Sequence, residues 1–307
     1  MWLNQSTLRS MRLSIVTINY NNADGLRKTL ASVAAQTYRD IEHIIVDGGS
    51  TDGSVDVIKE YVDNVERINE LKNERIRVIW SSEPDGGVYA GMNKGIRKAS
   101  GDYVWILNSG DCAATPDVLK RMISAINSLN INSLNVTENV PILIGNILPV
   151  YSGRRVESGK RKVESGKPEP IDVSMLTFYS GTVPHDAAFV RRELFEKFGY
   201  FDEKMKICAD WKLYLDMIAL GGVQPWYVDI DVVLFDMSGI SNTNNELRLA
   251  ERRAYLEQIL PASVRKDYDA YSFPIEQYKR LNRHHLWGFV YFMERVLFKL
   301  EKWHILK

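Results

Sequence analysis

Three carboxylates in this chain stand where polar ligands are usually held. Asp111 closes the stretch Tyr103-Val104-Trp105-Ile106-Leu107-Asn108-Ser109-Gly110-Asp111, an apolar β-type run that ends in a polar tip. Sheets covered by helices place their ligands at such carboxyl ends of buried strands. Asp47 ends a second run, Ile41-Glu42-His43-Ile44-Ile45-Val46, and is followed by Gly48-Gly49-Ser50-Thr51-Asp52-Gly53. It either closes its own turn by accepting nearby N–H groups or accepts N–H bonds from a nucleotide base. In the second case Gly48 and Gly49 let the ligand approach the backbone. The pair does not complete the G-x-G-x-x-G fingerprint and no P-loop is present, which disfavours a dehydrogenase. Asp210 opens a helical pattern carrying Trp211, Tyr214, Leu215 and Ile218. Its ordinary role there is a helix N-cap, contributing about 1 kcal/mol.

These residues need a scaffold, and the sequence describes one. Leu13–Ile18 is a nearly continuous apolar strand ending in Asn19-Tyr20-Asn21-Asn22, after which Asp24 caps a helix bearing Leu26, Leu30 and Val33. Ile41–Val46 and a helix with Val57, Ile58 and Tyr61 follow. Val78–Trp80 then runs into the turn-rich Ser81–Gly87, and Val88, Met92 and Ile96 mark one face of the next helix. Strand and helix thus alternate three times before Asp111, which predicts a parallel, doubly wound sheet. Further elements are a helix within 116–138, a strand at Pro141–Asn146 and a last strand at Asp229–Asp236. Val156-Glu157-Ser158-Gly159-Lys160 recurs as Val163-Glu164-Ser165-Gly166-Lys167, too short a repeat for a solenoid. It reads as a solvated hairpin or mobile loop, with a lid over the site as the alternative.

Composition narrows the class. The 307 residues are 45% apolar and 25% charged, with 39 basic and 39 acidic side chains. That is ordinary for a globular protein and predicts no nucleic-acid partner. Cys112 and Cys208 form neither a disulfide framework nor zinc spacing, which suits a reducing cytoplasm. No signal peptide is expected, and no run of 18 apolar residues is present to span a bilayer.

Taken in order, SIVTINYNN, IIVDGGSTDGS, SEPDGGVYAGMNKGI and GDYVWILNSGD resemble glycosyltransferase family 2, the large inverting family with a GT-A fold. The likeness spans roughly residues 12–243. The SEPDGGVYAGMNKGI stretch and the LNSGD tip resemble the bacterial branch that builds exopolysaccharide, capsule and O-antigen chains. The family likeness implies an α/β, Rossmann-like three-layer domain over 11–243 with a mostly parallel sheet, and a C-terminal helical extension over 244–307. It implies that Thr17, Asn19, Tyr20, Asp47 and Gly49 hold a nucleotide-sugar, usually uridine-linked. Asp85, Asn93, Lys94, Asn108 and Ser109 line the same site. By the same likeness, Asp111 tethers Mg²⁺ or Mn²⁺ with the diphosphate, and Asp210 is the general base. His185, in Pro184-His185-Asp186, faces the diphosphate or metal or serves as a structural hydrogen-bonder. Met237–Ser241 matches the family's closing loop near the donor phosphates.

One departure from the pattern matters. The family's acidic tip reads like LDxDD, whereas Leu107-Asn108-Ser109-Gly110-Asp111 keeps one carboxylate. Magnesium is commonly bound by one or two carboxylates plus substrate phosphates, so Asp111 with the Asn108 carbonyl suffices, though free metal should bind weakly. The thinned tip motivates a rival reading, a non-catalytic nucleotide-sugar-binding scaffold in a polysaccharide assembly complex. A degenerate binder has no need of a base at Asp210. A nucleotidyltransferase is disfavoured because Asn19-Tyr20-Asn21-Asn22 is no Gly-rich phosphate loop.

The tail is read from its stripe. Leu286, Phe289, Val290, Met293, Val296, Leu297 and Leu300 align on one helical face, flanked by Arg283, Arg295, Lys299, Lys302 and Lys307. Such a stripe over 283–303 packs on the protein's own body, pairs two copies, or lies in a membrane interface. With a glycan or lipid-linked glycan as acceptor, a cytoplasmic enzyme peripheral to the inner face of the plasma membrane is expected.

Overall fold

The computed structural model describes residues 11–132 apart from 73 and 75, then 140–151, 154–155, 167–237 and 244–283, with short stretches of the tail between 288 and 297. The repeated Val-Glu-Ser-Gly-Lys block over 156–166, the closing loop over 238–241 and much of the tail stripe, Leu286 and Leu300 included, lie outside the described residues.

The central sheet has the strand order β3-β2-β1-β4-β9-β6-β10-β5. Its parallel half comprises β1 (Leu13–Asn19), β2 (Ile41–Asp47), β3 (Arg77–Ser82) and β4 (Tyr103–Ile106). Three helices connect these strands: α1 (Ala23–Ala34), α2 (Ser54–Lys72) and α3 (Val88–Lys98). Every residue of β2 is buried, because helices cover both faces of the sheet. Beyond β4 come β5 (Cys112–Ala113), α4 (Val118–Asn132), β6 (Ile142–Tyr151), the two-residue β7 (Arg154–Arg155) and β8 (Glu169–Pro170), and α5 (Met175–Ser180). The short β9 (Ala188–Arg191) runs antiparallel between β4 and β6, and α6 (Arg192–Phe198) follows it. β10 (Pro225–Asp236) then pairs parallel with β6. Apart from β9 and the two-residue strands, the sheet runs in one direction.

Local chemistry explains the tight places. Gly95 of α3 lies so close to β1 that a Cβ there would meet Val16 at 2.4 Å, so the helix rests directly on the strand. The rings of Trp105 and Phe189 stack at 5.3 Å across the β4–β9 junction. Asn22, rather than the expected Asp24, caps α1 by accepting the Gly25 N–H at 3.1 Å. The helix begins at Ala23, which leaves Asp24 inside its first turn.

Two compact units divide the chain. One comprises 1–178 and 182–252 and holds the ten strands found among the described residues; the other comprises 179–181 and 253–307. Of the C-terminal helices, α8 spans Asn245–Ile259 and α9 spans Ala262–Arg283. In the second unit the Tyr179 ring stacks on Tyr268 at 4.9 Å. Tyr291, Phe292, Met293 and Leu297 of the tail are exposed. No helix among the described residues is long and apolar enough to cross a membrane.

Candidate active site

The parallel strands end on one edge of the sheet, and their tips bound a cleft of about 740 Å³. One wall is built from the ends of β1 and β4, the loop before α3 and the first turn of that helix. The facing wall comes from His185 and Asp186, the segment Phe201–Tyr214 and the end of β10. Of the sequence-predicted residues, Asn19, Tyr20, Asp85, Asn108, Ser109, Asp111, His185 and Asp210 line this cleft.

The other five predicted residues stand behind it or beside it. Thr17 is fully buried, donating its hydroxyl to the Leu107 carbonyl at 2.8 Å. Because that proton is committed, Nε2 of His43, 2.9 Å away, is the donor to the Thr17 oxygen, and Nδ1 accepts from Tyr61 at 2.9 Å. Burial pushes the His43 pKa down to about 3, so the imidazole is a neutral spacer under the strand tips. Asp47 accepts from Asn19 Nδ2 (2.8 Å), Ser50 Oγ (2.6 Å), Ser50 N (2.9 Å), Gly49 N (3.2 Å) and Ser82 Oγ (2.6 Å). Burial alone would raise its pKa, but the bonds from Ser50, Ser82 and Asn19 outweigh that and hold it ionised. Gly49 therefore serves Asp47 directly. Asn93 is buried and clasps the Phe201 backbone from both sides, donating to its carbonyl at 2.8 Å and accepting its N–H at 2.9 Å. Lys94 pairs with Glu83 on the surface.

The β4 tip is organised differently. Asn22 reaches from the start of α1 to the Ser109 carbonyl at 3.2 Å, tying the β1 and β4 tips together. Oδ1 of Asn108 is buried without a hydrogen-bond partner. Asp111 is buried and accepts the Asp236 backbone N–H at 2.8 Å. Burial pushes its carboxyl pKa up to about 8, and the nearby Asp186 and Asp236 raise it further against the single N–H bond. Gly110, with φ of 108°, lets the chain pass Asp236; a Cβ there would lie 3.5 Å from an Asp236 carboxylate oxygen. A second carboxylate thus stands beside the thinned tip, delivered by β10 from 125 residues away. Sequence reading missed Asp236 because only strand pairing brings it here.

Do these residues fit a divalent cation? Among the described residues no three acidic, histidine or cysteine side chains make a ready-made site. Yet a buried carboxyl with a raised pKa and an unpartnered amide oxygen are what a hard, oxygen-seeking cation brought in with phosphate would satisfy. The donor set fits a metal shared with a substrate and does not fit one held by protein alone.

On the facing wall, α7 (Ala209–Tyr214) continues into a π-helical turn, Leu215–Leu220. Its N-cap is Cys208, so Asp210 lies inside the first turn, and its carboxylate is used elsewhere. Oδ1 accepts the Tyr89 hydroxyl at 2.9 Å, and Oδ2 lies 3.1 Å from His185 Nε2. That nitrogen is also 3.3 Å from Asp186 Oδ1. Burial would lower the His185 pKa, but Asp186, Asp210 and Asp111 together raise it, which favours imidazolium. The structure therefore sets His185 against Asp186 and Asp210. Just before α7, three successive N–H groups of Lys206, Ile207 and Cys208 donate to the Glu251 carboxylate of α8. Arg252 lies over the Trp211 ring at 5.1 Å.

The Glycosyl transferase family 2 profile matches residues 14–199, more than half of the chain. The chain belongs to this family. Similar curated proteins include an uncharacterised glycosyltransferase of Mycobacterium tuberculosis, 34% identical over 233 residues, covering 75% of this chain and 77% of the relative. A PGL/p-HBAD biosynthesis glycosyltransferase of Mycobacterium bovis is 26% identical over 231 residues (75% and 79% covered). Among solved structures, Staphylococcus aureus TarS with UDP-GlcNAc superposes with a TM-score of 0.57 at 18% identity, over 76% of this glycosyltransferase and 61% of TarS. The Pyrobaculum calidifontis mannosyltransferase with GDP-Man and Mn²⁺ gives 0.54 at 18% identity, covering 85% and 70%. At such identities these two structures speak for the GT-A fold alone.

Proposed function

We propose that this glycosyltransferase moves a hexosyl or N-acetylhexosaminyl group from a UDP-sugar to an acceptor hydroxyl by inverting displacement. The observation that carries the reading is the convergence of Asp210 with the Asn108–Asp111 tip on one cleft. A displacement at the anomeric carbon needs a nucleophile on one face and a leaving diphosphate on the other. Asp210 takes the acceptor proton, the acceptor oxygen bonds to the anomeric carbon, and the bond from that carbon to the diphosphate oxygen breaks with its electron pair leaving on UDP. Asn19, Tyr20 and Asp85 line the nucleoside end. Asp47 acts there through Asn19 and the Gly49–Ser50 backbone that its carboxylate fixes.

Asp111, with Asn108 and Asp236 beside it, would hold Mg²⁺ or Mn²⁺. Bound there, the cation would neutralise charge on the departing diphosphate. The uridine choice is supported by the family likeness and by TarS, a relative in fold that is solved with UDP-GlcNAc. The acceptor is proposed to be a lipid-linked glycan of a surface polysaccharide such as capsule or O-antigen. Contact with the cytoplasmic membrane face, or with a second copy, would use the tail around the exposed Tyr291, Phe292, Met293 and Leu297.

A non-catalytic binder is the rival reading. A carboxylate held on both oxygens in the cleft favours the enzyme, since a binder gains nothing from aiming it. The test is calorimetric titration of UDP and GDP with and without Mn²⁺, followed by a panel of UDP-sugars assayed for UDP release. Mn²⁺-dependent UDP binding, with turnover abolished by Asp210→Asn, is expected. Absence of nucleotide binding under every condition would sink the donor-site assignment, and binding without any turnover would favour the scaffold.

A further inference from the structure

Resting on the reading of Asp210 as base, we infer that Tyr89 is the positioning residue that aims it. Tyr89 lies in the first turn of α3, on the donor side of the cleft, yet its hydroxyl is given to a carboxylate 121 residues away at 2.9 Å. The residue is buried, and its ring packs against Phe201 at 5.6 Å between centroids, so the phenol has little freedom to turn elsewhere. With His185 on the other oxygen, both ends of the Asp210 carboxylate have a partner. A lone pair is then left in a fixed direction for the incoming hydroxyl, which is the orientation that proton abstraction demands.

The helix that carries Tyr89 is built for this. Asn93 and Arg97 follow at four-residue spacing, so the three side chains line one face of α3. All three reach the segment that leads to the base: Tyr89 to Asp210, Asn93 to the Phe201 backbone, and Arg97 over the Tyr200 ring at 4.5 Å. The opposite face of α3 is seated on β1 through Gly91 and Gly95, which come within contact distance of Ile18 and Val16. A rigid strut therefore connects the donor-side loop, Asp85 to Gly87, with the base on the far wall. A buried phenol needs a partner of some kind, and any acceptor would satisfy it. The choice of the catalytic carboxylate, backed by two neighbouring tethers to the same segment, points to aiming.

The deciding experiment is the pH dependence of kcat/KM for UDP release in wild type, Tyr89→Phe and Asp210→Asn, using the UDP-sugar that turns over in the panel. Tyr89→Phe keeps the ring and removes only the donor. It is expected to lower kcat/KM by about 10- to 100-fold and to move the acid limb to higher pH, because protons compete better for a carboxylate that has lost a hydrogen bond. UDP affinity by calorimetry should stay within about twofold of wild type. If the profile of Tyr89→Phe superposes on wild type while Asp210→Asn is dead, the aiming role is wrong and the base stands. If Asp210→Asn retains turnover, the base assignment itself fails. Should no sugar in the panel turn over, the His185 ring signal in NMR reports on Asp210 without substrate. A shifted titration in Tyr89→Phe supports the role, and an unchanged one overturns it.

Discussion

Asp47 and Asp111 are both buried aspartates at strand tips on the same edge of the sheet, and they are opposites. Asp47 receives five hydrogen bonds from its own protein and is held below the usual carboxylate range. Asp111 receives one backbone N–H, sits near further carboxylates, and is pushed up to about 8. The first is complete and fixes the β2 tip and the Asn19 side chain that lines the cleft. The second lacks a partner that a cation arriving with the donor would provide. Residue type is shared, so it is the deeper desolvation of Asp111 and its shortage of donors that separate the two carboxylates.

Substitutions can break that contrast. The largest effect is expected from Asp47→Ala, which leaves Asn19, Ser50 and Ser82 facing an empty place. Loss of about 2–4 kcal/mol should appear in denaturant unfolding, with nucleotide binding weakened as a consequence. Asp111→Asn should leave the fold intact but weaken Mn²⁺-dependent UDP binding at least about tenfold by calorimetry.

The two sites also predict pH signatures of opposite sign in metal-free protein. Asp47 has a lowered folded pKa, so its stabilisation is present above the unfolded value near 4 and fades as pH falls through the folded one. Asp111 has a raised folded pKa, so the folded state holds the extra proton and stability drains away as pH rises from about 4 to about 8. Asp111→Asn should therefore melt close to wild type at low pH and above it near pH 9, a crossover that differential scanning calorimetry would reveal. Equal melting at every pH would remove the distinction. Smaller again is Asn93→Ala, expected to lose about 1–2 kcal/mol of stability from the Phe201 clasp with UDP affinity nearly unchanged. Lys94→Ala, which breaks only a surface pair, should change neither measurably.

Much of this was legible in the sequence, for physical reasons. Strands buried on both faces must be nearly continuous apolar runs, so Leu13–Ile18, Ile41–Val46 and Tyr103–Leu107 announce themselves. Side chains that act at strand tips must follow such runs directly, and this made Asp111 visible. Partners brought together by the fold did not show. Asp236 and Asp186 reach the Asp111 region only through the pairing of β10 and the antiparallel insertion of β9, a strand of four residues. Nor could spacing tell that Asn93 is spent on the Phe201 backbone while Asn19 lines the cleft, since both follow from packing. The four-residue spacing of Tyr89, Asn93 and Arg97 was the one available hint, a polar stripe on a helix within a sheet-covering layer. Likewise, the helix-cap role of Asp210 failed because Cys208 takes the cap position and Tyr89 takes the carboxylate.

The Glu251 clasp bears on where the catalytic fragment ends. A cut at residue 243, where the sequence places the end of the glycosyltransferase domain, would remove the carboxylate that gathers the N–H groups of Lys206, Ile207 and Cys208, and also Arg252 from above Trp211. Those donors lie immediately before the helix that presents Asp210. The shortest recombinant form able to keep Asp210 in register must therefore extend at least through Arg252. A protein trimmed at 243 should still bind nucleotide while losing transfer, a pattern easily mistaken for the wrong choice of sugar.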